Sequence, residues 1–365
     1  MSKLEELINE LCPDGVEYVP LGEALKNNNA SESVSKKDYK EVGNIPIIDQ
    51  SQAYIAAYTD KESAIPPILP CIIFGDHTRI VKYADQKFAQ GDSGTKVFVP
   101  TSKAAETKYV YYAFCHLIIP SRGYNRHWSI VKDTKIPLPP LPVQREIVRI
   151  LDNFTELTAE LTAELTARKK QYEYYRNHLL TFGDDVPMIA LGDTCHMRSG
   201  KAISSSRISI QKAGNTSFAC FGGNGIRGYV KEASHHGEFP IIGRQGALCG
   251  NVNYATGNFY ATEHAVVVES LGKYNQRFLF YLLTAMNLNQ YKSQGAQPGL
   301  AVGNIENLFA PVPTLEIQER IVAILDRFDT LCNDLTSGLP AEIEARRKQY
   351  EYYRDKLLTF KEAKA

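Results

Sequence analysis

The residues most suited to chemistry in this chain are basic, amide and aromatic side chains gathered in four segments. In the first half they lie at 75–82 ("GDHTRIVK") and 121–132 ("SRGYNRHWSIVK"), and in the second half at 194–231 and 243–253 ("GRQGALCGNVN"). The segment 194–231 holds six Arg or Lys residues and no acidic residue. Basic residues neutralise phosphates, whereas Arg, Asn, Gln and His can bond base edges. Such mixtures suit loops that contact a nucleic acid.

The candidate DNA-binding residues come from these segments. In the first half they are His77, Arg79, Lys82, Arg122, Tyr124, Asn125, Arg126, His127 and Lys132, and in the second half they are Arg198, Lys201, Arg207, Asn224, Arg227, Arg244 and Gln245. A single member of such a set is more often an ordinary solvated charge, so the prediction rests on each cluster as a group. Trp128 is also in the second segment, but a lone tryptophan is more often a core anchor.

Two patterns raise the possibility of catalysis, and each has a simpler explanation. "GNGIRG" at 223–228 matches the phosphate-binding turn of dinucleotide folds, but no helix opens after it, which favours a glycine-rich hairpin. Asp92 followed by Glu106 and Lys108 imitates the spacing of metal-dependent nucleases. The segment around Glu106 has the pattern of a helix with this carboxylate near its start, where acids are ordinarily favoured. Chance accounts better for the nuclease-like spacing.

Neither histidines nor cysteines form a pattern that predicts a metal site. The pairs His235–His236 and Glu263–His264 lack further ligands at useful spacing. The sequence contains no phosphate-binding loop of the ATPase type and no Asn/Asp-Pro-Pro-Tyr/Phe tetrapeptide, which adenine methyltransferases use to bind the target amino group. The sequence therefore predicts no catalytic residue, no metal site and no cofactor bound by this chain.

Composition sets the outer limits on the class of protein. The 365 residues include 41 basic and 41 acidic ones, so an anionic partner must be met by a local patch rather than by overall charge. Seven cysteines without metal-ligand spacing are typical of reduced cytosolic thiols. No signal peptide and no apolar run of bilayer length is seen. We expect a soluble, cytoplasmic protein that has no membrane partner.

The chain repeats itself, and the repeat defines its organisation. "IPLPPLPVQREIVRILDNF" at 136–154 aligns with "APVPTLEIQERIVAILDRF" at 310–328, and "RKKQYEYYR" at 168–176 aligns with "RRKQYEYYR" at 346–354. Apolar residues step by three and four through both copies, which is typical of a coiled-coil helix. Because prolines cannot sit inside a helix, the Pro-rich stretch before each copy marks where the helix starts.

The resulting prediction is an α+β protein: two similar mixed α/β domains separated by two long antiparallel coiled-coil helices, with pseudo-two-fold symmetry. The predicted boundaries are 1–140 for the first domain, with a short helix at 3–11, 141–183 for the first spacer helix, 184–313 for the second domain and 314–361 for the second spacer helix, broken near 338–340. Short β-branched and aromatic runs separated by Gly-rich turns predict the sheets. We also expect the two ends of the chain to lie close together.

A tandem Thr-Ala-Glu-Leu repeat occurs in the first helix alone, at 158–161 and 162–165. One unit adds about 6 Å of helix with about 40° of net rotation. That length corresponds to roughly one to two base pairs of a DNA duplex, at about 3.4 Å per pair. We expect the repeat number to set a spacing, although a tolerant, solvated helix would explain the repeat as well.

The duplicated helical motifs resemble the two conserved regions of the specificity (S) subunits of Type I DNA restriction-modification systems. "QREIVRILD", "QERIVAILD" and the "RKKQYEYYR" ends followed by "LLTF" carry the resemblance, which extends to "FGGNGIRGYV" and "IIGRQGALCGNV" in the second domain. It implies that each domain is a target recognition domain that reads half of a split DNA target, with the helices as spacer. Because the two domains have diverged, the half-sites are expected to differ.

The same resemblance implies partners that perform the chemistry. Double-stranded DNA, two methyltransferase (M) subunits and two restriction (R) subunits are the expected partners, at the nucleoid of a prokaryotic cell. S-adenosylmethionine and ATP with Mg²⁺ would bind those subunits, and this chain would be non-catalytic. Exposed tyrosines beside arginines are typical of interfaces, and the predicted partner-binding residues are Tyr172, Tyr174, Tyr175, Arg176, Tyr350, Tyr352, Tyr353 and Arg354.

Two alternatives remain open from the sequence. The first is a duplicated coiled-coil scaffold that organises proteins without DNA specificity, and the second is the metal-dependent nuclease considered above. A further possibility for the helical tyrosines is that they cover their own domain.

Overall fold

The structure is a computed structural model that describes residues 2–214, 217–246, 248–294, 298–334 and 336–363. The chain divides into two compact units. Unit 1 comprises residues 1–161 and 343–365, and unit 2 comprises residues 162–342. Each unit thus combines one of the duplicated domains with parts of both long helical regions.

Unit 1 contains short strands and four helices outside the long helical regions. The strands are β1 (Tyr18–Pro20), β2 (Leu25–Asn27), β3 (Ile45–Ile48), β4 (Ala57–Thr59), β5 (Cys71–Gly75), β6 (Val81–Ala84), β7 (Ala89–Gln90), β8 (Thr95–Pro100) and β9 (Lys135–Pro137). The helices are α1 (Lys3–Leu11), α2 (Leu21–Ala24), α3 (Thr107–His116) and α4 (Trp128–Val131). One antiparallel sheet has the order β2-β8-β5-β6, a second has the order β4-β3-β7, and β1 pairs with β9.

The core of unit 1 forms around β5, whose apolar run is buried along its full length. Helix α3 packs on this sheet and buries Tyr109 and Phe114, which share a core with Phe74 of β5. Trp128 stacks on Phe98 with ring centroids 4.1 Å apart. The interpretation of this tryptophan as a core anchor is confirmed.

One helix of 39 residues, α5 (Leu141–Leu179), begins in unit 1 and ends in unit 2. Its length is about 58 Å at 1.5 Å per residue. The Thr-Ala-Glu-Leu repeat is continuous helix, in which Leu161 and Leu165 are half-buried. The hydroxyls of Thr158 and Thr166 donate to carbonyls four residues earlier. Because these hydroxyls form their hydrogen bonds within their own helix, they would keep a partner if the number of repeats changed.

Unit 2 repeats the plan of unit 1. Its strands are β10 (Met188–Ala190), β11 (Cys195–Ser199), β12 (Phe218–Gly222), β13 (Gly225–Val230), β14 (His235–Gly243), β15 (Val252–Ala261), β16 (Ala265–Ser270) and β17 (Phe309–Pro311), and its helices are α6 (Leu191–Thr194), α7 (Gln276–Ala285) and α8 (Val302–Glu306). The main sheet has the order β11-β16-β14-β15-β12-β13 and is antiparallel except where β12 pairs with β15, and β10 pairs with β17. Short strands, a late helix and a closing two-stranded sheet in each unit confirm the predicted α+β class.

The second long helical region consists of two helices, α9 (Leu315–Asn333) and α10 (Leu339–Leu357). The sequence predicted a break near 338–340, whereas α9 already ends at Asn333 and Pro340 lies in the first turn of α10. Proline is tolerated there because the first helical N–H groups have no intrahelical partner. Within the described residues, no helix combines the length and the apolarity needed to cross a membrane.

Within each unit, α5 runs antiparallel to the second helical region. In unit 2, Tyr172 and Tyr175 of α5 both contact Phe328 of α9. Leu180, directly after α5, shares a core with Ile321, which is nearer the start of α9. In unit 1, the start of α5 shares a core with Leu358 just beyond α10, and Phe154 stacks on Tyr353 at 5.4 Å. The predicted antiparallel pairing is therefore present in both.

The beginning and the end of the chain meet in unit 1. The main chain of Val16 donates to Lys361 and accepts from Ala363, both at 2.9 Å, and the Tyr18 hydroxyl donates to the carbonyl of Phe360. Gly15 has φ of +108°, and a Cβ atom there would meet the Lys361 oxygen, so glycine is required. The expected proximity of the two ends is confirmed for these described residues.

The break between α9 and α10 generates a prediction about pH. Hydrogen bonds from Ser337 and Thr336 lower the pKa of Asp334 from 3.8 to about 2. A carboxyl whose pKa is lower in the folded state adds stability that is complete above pH 3.8 and is lost as the pH falls towards 2. NMR titration of the Asp334 carboxyl should show this low midpoint, and Ser337→Ala, which leaves the helices intact, should raise it. A midpoint near 3.8 in the unaltered protein would contradict the hydrogen bonds from Ser337 and Thr336 to this carboxylate.

Candidate nucleic-acid interface

In unit 1, a buried histidine joins the two segments that the sequence singled out. His127 is 1% exposed, and its main-chain N–H donates to the carbonyl oxygen of Asp76 at 2.9 Å. Its ring Nε2 accepts the N–H of Arg122 at 3.2 Å, so the ring proton is on Nδ1, which lies 2.9 Å from the same Asp76 oxygen. The Asp76 carboxylate accepts the N–H of Trp128 at 2.7 Å. The turn after β5 and the loop before α4 therefore form one assembly.

The outer surface of this assembly is aromatic and basic. Tyr124 is 81% exposed and stacks on His77, with ring centroids 4.5 Å apart and planes inclined by 7°. Arg122 and Arg126 are exposed in the same loop. The guanidinium of Arg79 donates to the carbonyl of Ile119 at 2.9 Å and so ties the turn to the start of the loop. An exposed ring flanked by arginines can stack on a base while the arginines bond phosphates.

Arg79 also has an unusual backbone conformation. Its φ is +66°, in the left-handed region that a side chain other than glycine rarely adopts. The N–H of Arg79 donates to the carbonyl of Gly75 at 2.7 Å, which closes the tight turn after β5. Backbone strain of this kind persists where surrounding contacts enforce it, and it is common at functional sites. Asn125, the remaining polar residue of the loop tip, is exposed and donates its side-chain amide to the carbonyl of Arg122.

The structure corrects two of the candidate residues in unit 1. Lys82 is 7% exposed, and its ammonium group donates to the carbonyls of Asp49 at 2.7 Å and Ala53 at 2.6 Å, while burial lowers its pKa. The ring of His127 is equally enclosed. Both side chains hold the domain together, because reaching a phosphate would leave their buried partners unsatisfied. Lys132 is exposed, but its carbonyl accepts the N–H of Gly22 in α2, so its main chain belongs to that contact.

In unit 2, three of the candidate residues lie near the ends of strands of the main sheet, and they are Arg244, Lys201 and Gln245. The guanidinium of Arg244 donates to the Ser199 hydroxyl at 2.9 Å, which links the ends of β14 and β11. Lys201, two residues after the end of β11, is exposed, and its N–H donates to the carbonyl of Ala261 at the end of β15. Gln245 follows Arg244 and is exposed. A basic and amide surface therefore forms at one edge of the sheet.

The hairpin between β12 and β13 completes this edge. A Cβ atom on Gly223 would lie 2.6 Å from the Gln245 carbonyl oxygen, so the hairpin approaches the β14 turn too closely for any other residue. Asn224, at the tip, is exposed and accepts a hydrogen bond from the side chain of Asn251 at 2.9 Å. The structure thus brings Asn224 and Gln245 together from distant parts of the sequence.

The other basic candidates of unit 2 form a separate group. Arg227 donates to the Ser205 hydroxyl at 3.2 Å, and Arg207, from the same short turn as Ser205, is ion-paired with Glu232 at 3.0 Å. Both arginines are exposed, as is Arg198 on β11. Because Glu232 already neutralises Arg207, this residue is a weaker phosphate ligand than its sequence context indicates.

The turn after the central strand accepts a main-chain hydrogen bond at the same place in both units, and this bond is a shared main-chain frame. In unit 1 the N–H of His127 donates to the carbonyl of Asp76, and in unit 2 the N–H of Leu300 donates to the carbonyl of Arg244, each at 2.9 Å. Asp76 and Arg244 occupy the same place, directly after the glycine that ends the central strand. Asp76 was missed from the sequence because a search for phosphate ligands passes over acids. Its position after Gly75 was the available signal.

The predicted partner-binding residues divide into buried and exposed members. Tyr174 and Tyr352, which are equivalent in the two copies, are 65% and 62% exposed. Tyr175 is 37% exposed and contacts Phe328. The other tyrosines of the set, Tyr172, Tyr350 and Tyr353, are half-buried, and Arg176 and Arg354 lie over the rings of Tyr172 and Tyr350. The equivalent pair therefore projects furthest from the helices.

The residues behind the catalytic alternatives do not assemble. Glu106 is the N-cap of α3, and Lys108 is ion-paired with Asp152 at 2.8 Å, while Asp92 lies in the turn between β7 and β8. "GNGIRG" is the β12–β13 hairpin, as the glycine-rich pattern predicted. In the part of the chain that the structure describes, no group of three His, Cys, Asp or Glu side chains is arranged to hold a metal ion.

Comparisons with known proteins connect this architecture to a family. A family model described as the Type I restriction modification DNA specificity domain matches twice, at 13–168 and 183–345. The Type I restriction enzyme EcoprrI specificity subunit of Escherichia coli is 41% identical over 383 residues, covering 92% of this chain and 93% of that one. The EcoR124I/EcoR124II specificity subunit of the same species is 34% identical over 399 residues, covering 99% and 97%.

A solved structure agrees in fold. The crystal structure of a Type I restriction-modification S subunit from M. genitalium superposes with a TM-score of 0.65 at 18% identity, covering 94% of this chain and 96% of that one. Neither the scaffold nor the nuclease alternative gains support from the comparisons. The two family matches coincide with the duplication found in the sequence. The chain therefore belongs to the Type I restriction-modification specificity subunits, the non-catalytic subunits that recognise a DNA sequence.

Proposed function

We propose that the chain reads a two-part, asymmetric DNA target, with one half-site contacted by each unit. The observation that supports this proposal is that the same main-chain hydrogen bond holds the turn after the central strand in both units, while the side chains of that turn differ. At the equivalent turn, unit 1 presents the half-buried His77 whereas unit 2 presents the exposed Gln245 beside Arg244, and the Asp76 side chain is buried against the N–H of Trp128. Side chains of different chemistry select different base edges in the major groove. Two related surfaces with different chemistry therefore fit two different half-sites.

Within unit 1, Tyr124 and the arginines beside it are the proposed contact surface. Arg122 and Arg126 supply charge for phosphates, which fixes position, and the exposed face of Tyr124 supplies contact with a base or sugar. His77 supports the ring from below. In unit 2 the corresponding surface is the edge formed by Arg244, Gln245, Asn224 and Lys201. The separate group of Arg198, Arg207 and Arg227 supplies further phosphate ligands, of which Arg207 is the weaker because it is paired with Glu232.

Removing the Tyr124 ring should weaken recognition of one half-site. Base–aromatic stacking contributes about 1–3 kcal/mol, so Tyr124→Ala should lower the affinity for the target by roughly 5- to 150-fold. The matched control is Tyr54→Ala, since Tyr54 is a half-exposed tyrosine of unit 1 outside both segments. Affinity is measured by fluorescence anisotropy in the presence of competitor DNA. The labelled duplex carries the sequence that is methylated when the unaltered protein is expressed with its methyltransferase partner. Equal losses in both variants, or none with Tyr124→Ala, would contradict the assigned surface.

We propose that methyltransferase subunits dock on the duplicated helices, with restriction subunits added for cleavage. S-adenosylmethionine, ATP and Mg²⁺ would be bound by these partners in the prokaryotic cytoplasm, at the nucleoid. Tyr174 and Tyr352 support two equivalent seats, because each is an exposed ring at the same position of its copy. Aromatic residues are over-represented among the residues that dominate binding energy.

The two proposed docking sites for methyltransferase subunits can be removed one at a time. Tyr174→Ala and Tyr352→Ala should each reduce the complex from two methyltransferase subunits to one, and the double variant should bind none. The loss at each seat should be about 2 kcal/mol, or roughly 30-fold in affinity. Native mass spectrometry of the co-purified complex counts the subunits, and Glu160→Ala, an exposed change elsewhere on α5, is the control. Loss of both methyltransferase subunits on one substitution alone would contradict two independent docking sites.

We further propose that the length of α5 sets the spacing between the half-sites. The Thr-Ala-Glu-Leu repeat supports this proposal because the hydroxyl of its Thr158 bonds within the helix, as does that of Thr166 directly after it, and its leucines are half-buried. Inserting one further unit after Leu165 should lengthen the spacer of the methylated sequence by one to two base pairs, at about 6 Å of helix per unit. Thr162→Ala keeps the length and should keep the spacer. Genome-wide mapping of methylated adenines measures both, and an unchanged spacer after the insertion would refute the proposal.

A further inference from the structure

A buried glutamine ties the start of α5 to unit 1. Gln144 is fully buried, and its amide makes three hydrogen bonds: Oε1 accepts the N–H of Glu106 at 2.8 Å, and Nε2 donates to the carbonyls of Ala104 at 2.9 Å and Pro139 at 2.6 Å. Glu106 is the N-cap of α3. One side chain therefore connects the long helix to the helix that packs on the sheet.

Gln318 repeats this arrangement at the start of α9 in unit 2. It is fully buried as well, its Oε1 accepts the N–H of Asn275 at 2.7 Å, and its Nε2 donates to the carbonyls of Lys273 at 3.0 Å and Pro313 at 2.9 Å. Asn275 is the N-cap of α7. The same three bonds to the same places in the fold occur twice, although the surrounding domain sequences have diverged.

A second attachment follows eight residues further along each long helix. In unit 1, Asp152 of α5 accepts hydrogen bonds from the Lys108 ammonium group at 2.8 Å and the Tyr112 hydroxyl at 2.6 Å, both on α3. The ammonium group also lies 5.3 Å from the centre of the Tyr83 ring. The bridge therefore joins the long helix, α3 and the sheet.

In unit 2, Asp326 of α9 is the equivalent carboxylate, and it accepts from Arg277 at 2.7 Å and from the Tyr281 hydroxyl, both on α7. Arg277 also donates to Asp329 at 2.7 Å. Its guanidinium lies over the Tyr254 ring at 4.8 Å. This bridge is the stronger of the two, because the arginine engages two carboxylates where Lys108 engages one.

Two attachments on one helix resist a change of angle that a single attachment would allow. Eight residues correspond to about 12 Å along the helix axis. A tilt of the helix relative to α3 or α7 would break one set of bonds. If the glutamine bonds break, buried polar groups are left unpaired, at about 1–3 kcal/mol for each group, whereas the aspartate bridges are half-buried and add less. None of the four long-helix residues, Gln144, Asp152, Gln318 and Asp326, belongs to the predicted reading segments.

We infer that Gln144, Gln318, Asp152 and Asp326 are positioning residues that fix the angle between each long helix and its reading surface, and thereby restrict the protein to one spacing of half-sites. This inference rests on the proposed reading of a two-part target. If the angle is rigid, a target with one base pair more or fewer places a half-site out of reach. If this angle can vary, the same reading surfaces can bind half-sites that are separated by several different spacer lengths.

The test compares spacing, not activity. Gln144→Met and Gln318→Met keep the shape of the side chain and remove its hydrogen bonds, and each full-length variant is expressed with the methyltransferase partner. Methylated adenines are mapped genome-wide. The ratio of sites with a spacer one base pair off to sites with the normal spacer should rise about tenfold, which corresponds to about 1.4 kcal/mol. The sequences of the two half-sites should not change.

Gln90→Met is the matched control. Gln90 is a buried glutamine of unit 1 with a comparable set of bonds, to Ala30, Asn29 and Thr95, none of which lies on a long helix. It should lower the melting temperature without altering the spacing ratio. Fewer methylated sites at an unchanged ratio in Gln144→Met and Gln318→Met, or equal relaxation by Gln90→Met, would overturn the inference. An unaltered protein without any preferred spacing would instead overturn the proposed two-part reading.

Discussion

The attachment of the long helices to the domain cores is the interaction on which the rest of this structure depends. Each attachment begins with a glutamine amide that is fully enclosed and bonded on all sides, at Gln144 and at Gln318. A buried amide without partners would cost free energy, whereas a satisfied one admits a single arrangement of its neighbours. The apolar faces of the helices supply most of the stability, and the amides supply the orientation.

In each domain, a main-chain hydrogen bond also holds the turn that follows the central strand, against the loop before α4 in unit 1 and against Leu300 in unit 2. In unit 1 the ring of His127 strengthens this contact, and in unit 2 a glycine-rich hairpin packs against the turn. Each unit therefore has a rigid attachment to the helix and a rigid support for the loop. A specificity subunit requires both, because base edges are distinguished by hydrogen bonds whose geometry tolerates little displacement.

The sequence predicted the duplication, the α+β class, the long helices and the segments that contribute surface residues, because these follow from period and from local chemistry. It did not predict which basic residues are enclosed. Lys82 ends the segment 75–82, which contains several polar residues and was interpreted as exposed, yet its ammonium group donates to two carbonyls of a distant loop. Such contacts join residues some thirty positions apart and leave no local pattern. Asp76 was missed for a different reason, because a search for phosphate ligands passes over acids, although its position after Gly75 marks the turn that supports the loop.

The contact between loop and turn has a consequence for how such proteins change. The bond common to both units comes from the carbonyl oxygen of the residue after the strand, an atom that every amino acid possesses. At that place the chain carries aspartate in one unit and arginine in the other, and the loop stays anchored in each. The side chain at this position can therefore change in evolution while the main-chain bond that anchors the loop is retained.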